Sequence, residues 1–143
     1  MKQVINLIKN YSYLALIMNS VTIVFNILPY LGLDILKTIS TILFIITVAI
    51  DLGLIYLTLS FINRNHSMGQ KLKKICQFYL IFFFVAIILL MLDSIIYSFL
   101  EVGNFLRIVS FIGSQIAYYG IYALGLLTAI IALENINNPE VWK

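Results

Sequence analysis

The chain has 143 residues, 62% of them hydrophobic and 10% charged, with a mean hydropathy of +1.04 and a net charge of +3. A soluble domain of this size carries about 25% charged residues, so there are too few charges here to cover a water-facing surface. The nine Lys and Arg gather into no nucleic-acid-binding face, and the single cysteine, Cys76, excludes an internal disulfide, a thiolate metal cluster and CxxC redox chemistry.

The first apolar stretch runs from Tyr11 to Leu33. Its opening resembles a signal peptide, but the stretch is too long, contains Asn19 and lacks a small-residue cleavage site, so it reads as a retained helix. Ser12, Asn19, Thr22 and Asn26 recur at helical spacing and form one stripe. Pro29 marks the exit, and Asp34–Lys37 is a tight hairpin turn.

The second stretch, Thr38 to Ile62, carries the stripe Ser40, Thr47, Asp51 and Thr58. A basic loop follows, with Arg64, Lys71, Lys73 and Lys74 and the only histidine, His66. Such a loop can set topology, touch anionic headgroups or dock a cytoplasmic partner, and the topological role is the expectation.

The third stretch, Ile75 to Leu100, places Tyr79, Ala86, Asp93 and Tyr97 on one face. Cys76 reads as a packed thiol rather than a lipidation site. After a short break at Glu101–Arg107, containing Gly103 and Asn104, the fourth stretch runs from Ile108 to Leu133. Gln115, Tyr118 and Tyr122 line one face. Gly113, Ala117, Gly120 and Gly125 allow close helix approach, within one bundle or in a dimer, with internal packing the expectation.

Each stretch exceeds the ~20 residues needed to cross a ~30 Å hydrocarbon core. Backbone polar groups must be satisfied internally there, and period-two alternation is absent, so the spans are helices rather than barrel strands. The expected fold is a single all-α membrane domain over residues 1–143, a four-helix bundle with transmembrane spans at about 11–33, 38–62, 75–100 and 108–133. Lys2, Lys9, Arg64, Lys71, Lys73, Lys74 and Lys143 fall on one side, against Lys37 and Arg107 on the other, which puts both termini in the cytoplasm. Tyr11, Tyr13, Tyr30 and Trp142 serve as interfacial anchors. Composition rich in Ile, Leu, Phe, Asn and Lys suggests an AT-rich bacterial genome, and the expected location is a bacterial cytoplasmic membrane.

Asp51 lies mid-span and Asp93 in the outer half of its span, with depths about 10 Å apart. No Lys or Arg inside a span can neutralise either, so each is expected to be protonated, hydrogen-bonded or engaged by a passing cation. By depth, Asn26, Asp93 and Gln115 form an outer layer, which predicts Asp93 against Asn26 or Gln115. Thr22, Asp51 and Tyr119 lie near the middle. Asn19, Thr22 and Thr47 complete the set of candidate ion, proton or hydrogen-bonding residues.

With one histidine outside the spans, neither a Ser-His-Asp triad nor a His-rich metal site is available within them. No GxSxG, HExxH or phosphate-cradling motif occurs. No enzymatic activity, metal or cofactor is expected. The leading expectation is a non-enzymatic accessory, regulatory or immunity-type subunit that contacts a larger membrane protein or itself within the bilayer. The rival is a proton- or cation-coupled transporter or channel, homo-oligomeric, that uses Asp51 and Asp93. Impermeant thiol labelling of intact cells checks the topology: Asn104→Cys should react from outside and Ser67→Cys should not, and the reverse pattern overturns it.

Overall fold

The computed structural model describes residues 2–27, 36–65, 70–99 and 103–138. Pro29, Tyr30, the turn at Asp34, His66, Ser67, Glu101, Trp142 and Lys143 lie outside the described residues. Each described stretch carries one helix: α1 (Lys2–Ile27), α2 (Leu36–Asn65), α3 (Gln70–Phe99) and α4 (Asn104–Asn137). Three are long and apolar enough to cross a membrane, over Thr38–Asn63 in α2, Gln70–Ser98 in α3 and all of α4. The protein is therefore an all-helical membrane protein. Many large apolar side chains face outward, among them Ile45, Ile81, Phe84 and Met91, as lipid as a neighbour allows.

The helices outrun the apolar stretches. α1 begins at Lys2 rather than Tyr11, α3 at Gln70 rather than Ile75, and α4 at Asn104 rather than Ile108. Hydropathy marks only the part of a helix that suits hydrocarbon, whereas backbone hydrogen bonding carries on into the interface. The basic segment is consequently helical for most of its length. Arg64 lies in the last turn of α2, and Lys71, Lys73 and Lys74 lie in the first turns of α3.

Gly103 caps the start of α4, its carbonyl accepting from the Leu106 and Arg107 amides at 3.1 and 3.3 Å. At its other end Asn135 donates to the Ile131 carbonyl at 2.9 Å. Short polar side chains along the helices also bond back one turn, as Ser12 does to Ile8, Ser20 to Leu16 and Thr128 to Leu124.

The bundle is antiparallel and unevenly packed. α4 packs along α3 and along α1, and α1 packs along α2, while α2 approaches α3 and α4 only sparsely. α1 and α3 stand diagonally opposite. Small residues explain the close seams. α4 buries Ser114, Ala117, Gly125, Thr128, Ala129 and Ala132, and α1 buries Ser12 and Ala15. On the α3 side of α4, Gly113 faces Leu89 and Gly120 lies under the ring of Phe82. All four small residues of the α4 pattern thus meet neighbours inside the bundle or are buried in it. Cys76 is a free thiol fully enclosed in the core.

The two glycines against α3 differ in the room they leave. A Cβ at Gly113 would meet Leu89 Cδ2 at 3.9 Å, an ordinary contact, whereas one at Gly120 would overlap the Phe82 ring. Gly113→Ala is expected to stabilise by about 0.5–1 kcal/mol through reduced unfolded-state freedom. Gly120→Ala is expected to lose about 1–3 kcal/mol to overpacking, less whatever the ring recovers by swinging outward. Thermal unfolding of the two variants in detergent checks the order, with Gly113→Ala the more stable.

Candidate functional site: a buried polar ladder

The polar stripes of α1 and α2 face each other and pair rung by rung. At the deepest rung Asn19 donates from Nδ2 to Asp51 Oδ1 at 2.8 Å. The same amide group donates to the Ala15 carbonyl at 2.8 Å, which fixes its orientation. From α3, the Tyr79 hydroxyl donates to the other carboxylate oxygen, Asp51 Oδ2, at 3.0 Å. Asn19 is 0% exposed, Tyr79 1% and Asp51 2%.

α4 closes this site by having no side chain there. A Cβ on Gly125 would lie 2.5 Å from Asp51 Oδ2 and 2.6 Å from Asn19 Nδ2. All four helices therefore meet at Asp51: α1 and α3 supply donors, α2 the acid, and α4 the space.

One turn along, the Thr22 and Thr47 hydroxyls are 2.7 Å apart. Thr22 gives its proton to the Met18 carbonyl at 2.6 Å, so Thr47 is the donor between them. At the next rung Ser40 donates to Asn26 Oδ1 at 2.9 Å. Asn26 Nδ2 in turn donates to the Thr22 carbonyl at 3.0 Å and to the Tyr122 hydroxyl of α4 at 2.8 Å. Phe44 fills the gap between α2 and α4, edge-on to Tyr118 at 5.1 Å and to Tyr122 at 6.0 Å. Two buried oxygens, Asn19 Oδ1 and Thr58 Oγ1, have no hydrogen-bond partner among the described residues.

Asp93 stands apart from this ladder. It is half-buried between α3 and α4, accepts from Ser110 and lines a cavity of about 290 Å³ with Ile96, Tyr97, Arg107, Ile108 and Phe111. Asn26 is not beside it, since α1 and α3 are diagonal and Asn26 is engaged with Ser40 and Tyr122. Gln115 is half-buried on α4. Tyr97 points outward, 81% exposed, rather than sharing the inner face with Tyr79 and Ala86.

The mid-depth grouping of Thr22, Asp51 and Tyr119 is also corrected. Asp51 takes Asn19, about one turn earlier on α1, while Thr22 pairs with Thr47. Tyr119 instead packs edge-on against Tyr122.

Sequence reasoning placed Tyr79, Ser40 and Tyr122 on inward stripes but assigned them no site role. Their positions on those stripes were the available signal. Ser110 was missed although Ser114, Tyr118 and Tyr122 follow it at four-residue spacing, which was the available signal. Among the described residues no group of three or more His, Cys, Asp or Glu could hold a metal. Chemically, the ladder can fix helix register and orientation; its acid is enclosed by its own donors. In comparisons with known proteins, no family model, curated protein or solved structure matches this chain.

Asp51→Asn and Asp51→Leu separate hydrogen bonding from charge. The amide is isosteric and retains an acceptor for Tyr79 but turns a donor toward the Asn19 amide, so Asp51→Asn is expected to lose one of the two bonds, at a cost of about 0.6–2 kcal/mol. Asp51→Leu strands the Tyr79 hydroxyl and one Asn19 proton and is expected to cost about 2–5 kcal/mol. Thermal unfolding in detergent checks both, and equal losses would show that the bonds contribute nothing.

Proposed function

We propose that the protein is a non-enzymatic interaction subunit of the cell membrane, of the accessory, regulatory or immunity type, that works through helix contacts with a larger membrane protein. In this reading α1 is a fourth span, and both termini and the basic segment from Arg64 to Lys74 are cytoplasmic in a bacterial membrane. The observation that carries it is the enclosure of Asp51. Both carboxylate oxygens are taken by donors from other helices, and Gly125 packs against the remaining side. An acid held in this way ties helices together, and a rigid bundle of this kind presents its partner with a fixed outer face.

α3 supports the partner side of the proposal. It is the least enclosed of the three apolar helices. In its outer half Ile87, Leu90, Met91, Ser94 and Ile95 line an open groove of about 440 Å³. Ser94 is exposed there and makes no side-chain hydrogen bond among the described residues. A hydroxyl at this depth gains from a partner helix that supplies an acceptor.

A proton- or cation-coupled transporter or channel is the second reading. It rests on Asp93, which lines a cavity instead of being sealed in the ladder. Capture of the tagged chain from native membranes in mild detergent tests the first reading. A larger membrane protein should be retained with the wild type and with Asp51→Asn, and lost when the groove is filled by Ser94→Trp. A chain that runs alone as a monomer removes the basis of the proposal. Proton uptake into liposomes that is abolished by Asp93→Asn in a normally stable protein would favour the second reading.

A further inference from the structure

The start of α3 and the end of α4 form a second groove, of about 450 Å³, lined by Lys71, Lys74, Ile75, Phe78, Leu127, Ile130, Ile131 and Glu134. Both contributions follow the same helical spacing. Lys71, Lys74, Ile75 and Phe78 make one face of α3, and Leu127, Ile130, Ile131 and Glu134 one face of α4. Because the helices run antiparallel, Lys71 and Glu134 come to the same end of the bundle, while Phe78 and Leu127 lie deeper. The groove is thus charged at the interface and apolar toward the membrane centre, the same gradient that a phospholipid has along its own length.

We infer that this groove binds one anionic phospholipid, with its phosphate on Lys71 and Lys74 and its acyl chain along Phe78, Leu127 and Ile130. Lys71, Lys74, Phe78, Leu127 and Ile130 are all exposed, so the surface is open to lipid, and Ile131 forms a buried floor. Among the described residues no ion pair ties Glu134 to either lysine. Two ammonium groups and one carboxylate give the rim a net charge of +1, which matches a headgroup carrying one negative charge. The carboxylate then suits a headgroup with hydroxyl donors, and phosphatidylglycerol meets both conditions. Lys74, one turn deeper than Lys71, reaches the phosphate by extending its stem along the apolar wall. This site lies on the α3/α4 seam and is independent of the groove proposed for a protein partner in the outer half of α3.

The test uses the full chain in mild detergent, with native mass spectrometry counting bound lipid during titration with phosphatidylglycerol, phosphatidylethanolamine or phosphatidylcholine of the same chains. One phosphatidylglycerol per protein is expected, bound at least tenfold more tightly than either other lipid, the preference two basic residues near an anionic group provide. Lys71→Ala/Lys74→Ala should weaken it by roughly 25-fold, about fivefold for each lysine. Lys2→Ala/Lys9→Ala, which removes the same charge elsewhere, should leave it within about twofold of wild type, because the effect is local. Ile130→Trp, which fills the groove without altering charge, should also weaken binding and decides the matter if the double-lysine variant fails to fold. Glycerol phosphate should not displace the lipid. Equal binding of phosphatidylcholine or phosphatidylethanolamine, an equal loss in Lys2→Ala/Lys9→Ala, no effect of Ile130→Trp, or displacement by glycerol phosphate would each overturn the inference.

Discussion

A carboxyl group placed among apolar helices, with no lysine or arginine to meet it, has to find hydrogen-bond donors on its neighbours. Asp51 finds them on α1 and α3, and that requirement sets much of the bundle's geometry. Sliding α1 by one turn would carry Asn19 about 5.4 Å from the acid. Rotating α4 would replace Gly125 by a side chain that the site cannot hold. In lipid, apolar contact between helices has little to distinguish it from apolar contact with acyl chains, so register has to come from polar pairs and from shape. Here both act at the same place.

The remainder of the packing follows from which helices carry small residues. α4 supplies them on two faces, one toward α1 and one toward α3, and becomes the element around which the bundle is built. α2 is kept farther from α4 by Phe44, whose ring stands edge-on to two tyrosines. It is held to the bundle chiefly through α1, where its hydroxyls and acid have matching partners. The uneven seams are therefore a direct reading of side-chain size.

Much of this was legible in the sequence, and for definite reasons. The inward stripes of α1 and α2 could be read because polar residues are rare in such helices and recur with helical period; Ser12, Asn19, Thr22, Ser40, Thr47, Asp51 and Thr58 are all buried. Cross-helix pairing was not legible, because it depends on axial offset. The offset that brings Asn19 rather than Thr22 to the level of Asp51 is set by packing and is not encoded in apolar length. Nor could neighbour relations be read. Nothing in the spacing of Asn26 and Asp93 says that their helices lie on a diagonal, and only the packing assigns Ser110 to Asp93.

α2 and α3 follow one another in the chain yet share one of the two poorest seams in the bundle. The molecule is in effect two helical hairpins, α1/α2 and α3/α4, clasped along α1 and α4. Asn19 meets Asp51 inside the first hairpin and Ser110 meets Asp93 inside the second, whereas Tyr79 reaches Asp51 and Tyr122 reaches Asn26 across the two. The α1/α2 rungs lie within the first hairpin, but the ladder is complete only with Tyr79 of α3 and Tyr122 of α4. The same division falls between α2 and α3, the seam with few contacts. Each pair of helices brings one half of the clasp, and Asp51 and Asn26 complete their hydrogen bonds only when Tyr79 and Tyr122 of the second pair are in place.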